Sequence, residues 1–217
     1  MPLDYEQIGA CLNEIDCALF RVADHHDCKR FNVDSQLTAV VLLLLRCSSL
    51  LRSLLILFQS GGTDSFQVVL RAFEEAWYLA FYLRFGDNGP TASKWLAEKG
   101  GSWSVPLGEL IAFAKERGAP DPTMGRDYGR LSEVAHPTKA AAMNSVTLCG
   151  ERLAIDGTSA ELVEERQNEE ARFPDALYRL VWLMLDQDKK FIPVHVKRED
   201  VPLCWKFCEG DKRLESA

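Results

Sequence analysis

The chain has 217 residues, 47% of them hydrophobic and 26% charged, with 14 Gly and 9 Pro. That is the make-up of one good-sized globular domain, and it excludes a disordered, collagenous or low-complexity protein. Its 25 Lys and Arg against 32 Asp and Glu leave a formal charge of −7, which excludes capture of nucleic acid or anionic membrane by net charge alone and leaves room only for a local basic groove.

The cysteines at 11, 17, 28, 47, 149, 204 and 208 form an odd set with no C-x-x-C pair, the pattern of reduced thiols. The opening stretch MPLDYEQIGACLNEID carries acids where an export signal carries bases before an apolar run. Both features predict a cytoplasmic protein.

From Tyr5 to about Phe31, apolar residues recur at Ile8, Cys11, Leu12, Ile15, Ala18, Leu19 and Val22, the spacing of one helix face. The stretch Asp24-His25-His26-Asp27-Cys28 offers metal-loving side chains, but successive helical residues point about 100° apart. It reads as a solvated helix end, and no metal is expected. Asn32, Asp34 and Ser35 then break the chain before a second helix that runs to about Gln59. Within it, residues 37–58 could be mistaken for a membrane span. Arg46 and Arg52 interrupt the apolar run, whereas a span needs about 20 predominantly apolar residues. The segment is expected to be the central helix of a soluble bundle, surrounded by other helices and out of contact with any membrane.

Ser60-Gly61-Gly62-Thr63 breaks that helix, and Asp64 with Gln67 has the capping-box spacing of a third helix ending near Phe85. So short a link sets the two long helices antiparallel. Counting outward from the turn brings Arg52 level with residues 71–75, so ion pairs from Arg46 and Arg52 to Glu74 or Glu75 are expected. Shorter helices follow at 92–99, at about 107–117 and around 126–136; Pro137 breaks the last of these at His136 and opens another to about Asn144. Residues 145–157 alternate as a small hairpin around Gly150-Glu151. Ser159 caps an acidic helix interrupted before Pro174 and resumed from Asp175 to Lys190. The expected architecture is an all-α bundle of about seven helices over residues 1–192, with a long central antiparallel helix hairpin and one small β-hairpin. Residues 193–217 form an extension, irregular until Trp205 and Phe207 dock it on the bundle.

The stretch YGRLSEVAHP, residues 128–137, carries the most suggestive chemistry. Tyr128, Ser132 and His136 are four residues apart and share one helical stripe, and Arg71 and Glu75 share another on the third helix. Arg130 and His136 lie about 120° apart on a straight helix, so Arg130 joins the histidine only through the bend before Pro137 or from a second protomer. If the helices pack together, Arg71, Glu75, Tyr128, Ser132 and His136 converge on one polar pocket. Such a pocket suits a phosphate or carboxylate ligand, and the same residues equally suit a buried hydrogen-bond network that only holds helices together.

Arg130 and His136, separated by five residues, resemble the R-x(4 to 6)-H motif of the HEPN family of helical nucleotide-binding and ribonuclease domains. Arg71 with Glu75, and Leu131, Ser132, His136 and Pro137, also resemble the R-x-x-x-E and L-S-x-x-x-H-P motifs of an uncharacterised group of bacterial helical proteins. The HEPN resemblance implies RNA cleavage without a metal or other cofactor: the ribose 2′-hydroxyl attacks the adjacent phosphate, with His136 as general acid or base and Arg130 holding the phosphate. It also implies a homodimer, a role in bacterial defence or toxin-antitoxin systems, and RNA or a nucleotide as partner. Leu131 departs from the polar residue common after the arginine in that family. The other expectation is a noncatalytic interaction module, with the acidic run Glu161 to Glu170 as the surface for a basic protein partner.

Overall fold

The computed structural model describes residues 4–25, 35–60, 63–86, 89–97, 105–120, 146–149, 152–155, 160–185 and 196–208. Helix α1 (Tyr5–His25) starts where Asp4 caps it, its Oδ1 accepting from the Gln7 amide at 3.0 Å. Its predicted apolar stripe is buried from Ile8 to Val22. Its described part is Tyr5–His25, and the remainder of the expected span, to about Phe31, lies outside the described residues.

Helix α2 (Ser35–Ser60) and helix α3 (Thr63–Phe85) form the long antiparallel hairpin at the centre of the bundle. Leu37, Val40, Val41, Leu44, Leu51, Leu54 and Phe58 of α2 are buried. By length and composition α2 is able to cross a membrane, yet 50% of its most apolar window is buried against its neighbours. Helix α4 (Gly89–Ala97) packs on α2, and α5 (Leu107–Glu116) packs on α3. Gly118 ends α5 in the left-handed region at φ 69°, while the Ala119 amide donates to the Ala114 carbonyl at 2.9 Å. Glycine adopts that conformation without a Cβ penalty.

Strands β1 (Val146–Cys149) and β2 (Arg152–Ile155) form the predicted hairpin, antiparallel with Val146 opposite Ile155 and Cys149 opposite Arg152. Helix α6 (Ala160–Met184) then runs unbroken through Pro174, contrary to the expected interruption. An interior proline costs a helix about 3 kcal/mol or more, but Phe173, Ala176, Leu177, Leu180, Val181 and Met184 are all buried around it. At about 1.5–3 kcal/mol for each large apolar side chain, that burial outweighs the lost backbone bond. The helix stops at Met184, and Leu185 bridges to Val196 in parallel.

The segment after Val196 contains a 3-10 turn (Arg198–Asp200) and helix α7 (Pro202–Cys208), which packs on α1 and α6. Val201, Cys204 and Cys208 are its buried anchors, while Trp205 and Phe207 are only partly buried. The two aromatic residues pack against the core as expected, with these smaller residues as the deeper anchors. Among the described residues the fold is an all-α bundle of seven α-helices with one small β-hairpin.

Candidate functional site

Helix α3 carries the adjacent pair Glu74 and Glu75, and successive helical positions turn by about 100°. The two carboxylates consequently point to different surroundings. Glu75 accepts from Arg71 Nε at 3.0 Å along the same helix, at the rim of the bundle, with side chains 31% and 20% exposed. Glu74 points into the core, where its Oε1 accepts from Arg179 Nη2 of α6 at 2.7 Å.

Arg179 is held from several sides. Its guanidinium lies over the rings of Trp77 at 4.8 Å and Phe73 at 5.6 Å, and Trp77 Nε1 donates to the Arg179 carbonyl at 3.0 Å. Those aromatic faces supply the cation–π attraction that makes burial of a guanidinium tolerable. The second buried arginine, Arg84, donates through Nη2 to the Leu185 carbonyl at 2.7 Å. It places a positive charge at the C-terminal end of α6, where the helix dipole favours one.

Cys47 of α2 sits in the field of this pair. Burial pushes its thiol up, the Glu74 carboxylate adds to the shift, and Arg179 and Arg46 oppose it. The thiol is thus a neutral packing group, and Ser48 is buried next to it.

The expected ion pairs from Arg46 and Arg52 to Glu74 or Glu75 do not form. Arg46 is exposed. Arg52 donates to Asp16 Oδ2 at 2.7 Å and to Asn13 Oδ1 at 2.9 Å, both on α1. The hairpin register is antiparallel as predicted, but that side of α2 faces α1, and proximity in height along the hairpin does not put two side chains on facing sides.

Of the sequence-predicted site residues, Arg71 and Glu75 are brought together as one pair on α3. Tyr128, Arg130, Ser132 and His136 lie outside the described residues. Among the described residues no group of His, Cys, Asp and Glu is arranged to hold a metal ion. The pair that sequence reasoning missed, Glu74 with Arg179, did leave a signal: Arg179 stands three residues after the core position Ala176, within the apolar run around Leu177 and Leu180. A charged residue on an apolar helix face demands a buried partner.

No family model matches the chain, and no curated protein or solved structure does so either.

Proposed function

We propose that the chain binds RNA or a nucleotide at a surface built on the Arg71–Glu75 face of α3, and that it cleaves RNA there without a metal. The observation that carries this proposal is the Arg71–Glu75 ion pair, which stands at the bundle rim and is partly open to solvent, while the neighbouring Glu74 is committed to the core. An arginine oriented by a carboxylate along its own helix presents guanidinium donors in a fixed direction, the arrangement suited to a phosphate. The sequence YGRLSEVAHP would supply the reacting groups. His136 would exchange the proton of the 2′-hydroxyl, and Arg130 would stabilise the charge developing on the phosphate.

The test is cleavage of a mixed RNA pool with EDTA present, comparing wild type with His136→Ala and Arg130→Ala after circular dichroism shows all three folded. The expected result is wild-type cleavage, with loss of roughly 100-fold or more in each variant. No cleavage and no RNA retention by the folded wild type overturns the proposal.

A noncatalytic interaction surface is favoured by a separate observation. Ile56, near the end of α2, and Val68, near the start of α3, are both exposed large apolar side chains, on adjoining ends of the hairpin. Exposed apolar side chains of this size would be covered in a homodimer. Sedimentation of wild type and Ile56→Glu tests it: a dimer converted to monomer supports the contact, and a wild-type monomer at high concentration rejects it.

A further inference from the structure

The C-terminal segment is fastened to α1 along one stripe of that helix. Glu14 reaches across to the first turn of α7, its Oε2 accepting from the amides of Leu203 at 3.0 Å and Cys204 at 3.1 Å. Those are orphan amides that a helix start must satisfy, and here the cap comes from a different helix. One turn before Glu14, the Cys204 Sγ lies 3.0 Å from the Cys11 carbonyl oxygen. Farther along, Arg21 pairs with Asp200 at 3.2 Å. Cys11 and Cys204 are both fully buried, in reduced form, and 193 positions apart in the chain.

We propose that Cys11 and Cys204 form a reversible disulfide, taking a peroxide as oxidant, that locks the C-terminal helix onto the first helix. The Cys204 sulfur already sits against the Cys11 backbone within the packed interface of α1 and α7. Its proximity to the Cys11 thiol holds that thiol below its ordinary value and Cys204 above it. Burial and the Glu14 carboxylate act upward on both, and Cys208 adds to the shift at Cys204. When α7 loosens, Cys11 on the longer α1 is the sulfur uncovered to peroxide, and its thiolate is the form that reacts.

The chemistry proceeds in two steps. Cys11 thiolate attacks one peroxide oxygen; the O–O bond breaks, leaving Cys11 as sulfenic acid, and the departing hydroxide takes up a proton to leave as water. The Cys204 sulfur then attacks the Cys11 sulfur, an S–S bond forms, the S–O bond breaks, and the second water leaves with the Cys204 proton. Two thiols together lose two electrons and two protons, and one hydrogen peroxide becomes two waters. Access comes from transient release of α7, which has seven residues and is too short to persist as a helix by itself.

The full chain, folded and reduced, is treated with hydrogen peroxide, blocked with an alkylating reagent, digested with trypsin without reduction and examined by mass spectrometry. Cleavage at Lys206 separates Cys204 from Cys208, and fragmentation separates Cys11 from Cys17. The expected product is a Cys11–Cys204 linked pair, lost on treatment with dithiothreitol. Its formation is expected to slow proteolytic release of the C-terminal segment several-fold. Cys17 is exposed and serves as the positive control for oxidation. Oxidation of Cys17 without a Cys11–Cys204 link, or a link from Cys204 to any other cysteine in its place, overturns the proposal. The wild type alone decides the result, so Cys204→Ser, in which the linked pair must vanish, is confirmatory.

Discussion

Arg179 of α6 donates to Glu74 of α3 at 2.7 Å inside the core, with side chains 1% and 2% exposed. Desolvating both charges offsets most of their attraction, so the pair adds little net stability compared with apolar side chains of the same size. Removing one partner is different, because the other charge is left buried. Glu74→Ala is expected to lower stability by about 3–5 kcal/mol in urea denaturation, and the joint replacement Glu74→Leu with Arg179→Met to recover most of that loss. A loss under about 1 kcal/mol for Glu74→Ala would show that the buried arginine is compensated elsewhere.

The Cys47 thiol gives a pH dependence of definite sign. Burial, then Glu74, raises its pKa in the folded chain above the ordinary thiol value. Below that ordinary value, folded and unfolded chains both hold the proton, and the contribution to stability is fully present. Above it the unfolded chain releases the proton first, so stability falls as pH rises, by at most about 1.4 kcal/mol per pH unit for one group. Between pH 9 and 10, roughly, wild type should lose stability more steeply than Cys47→Ala in parallel denaturation curves. Equal slopes would contradict the assignment.

Arg52 ties α2 to α1 through Asp16 and Asn13. Its side chain is 35% exposed and that of Asp16 27%, so solvent screens the pair. Arg52→Ala should therefore cost only about 0.5–1 kcal/mol, and the difference from wild type should shrink in high salt. A salt-independent loss would indicate that the arginine stem, and not its charge, holds the two helices.

The regular parts of this fold are legible where one helix face or one turn decides them. The α1 stripe from Ile8 to Val22 follows the helical period, and the break at 60–63 sets α2 and α3 antiparallel. Continuity of α6 through Pro174 was not legible, because a local penalty was overruled by burial of Phe173, Leu177 and their neighbours against distant helices. The Glu74–Arg179 pair spans 105 positions, and neither residue's own neighbourhood names the other. In the candidate site, the i,i+4 spacing of Arg71 and Glu75 placed them on one stripe of α3, where the structure joins them as an ion pair. The division of labour between Glu74 and Glu75 was not legible, since it depends on which side of α3 receives α6.

The proposed function requires the Arg71 face of α3 to take part in phosphate recognition. It is tested most directly by single-turnover cleavage of a short fluorescent RNA, with EDTA present, by wild type, Arg71→Ala and Arg71→Lys. The expected result is cleavage by wild type, loss of roughly 10-fold or more in Arg71→Ala, and only partial recovery by lysine, which lacks the guanidinium fork. Cleavage by wild type and Arg71→Ala at the same rate, or none by any of the three while all are folded, would contradict it.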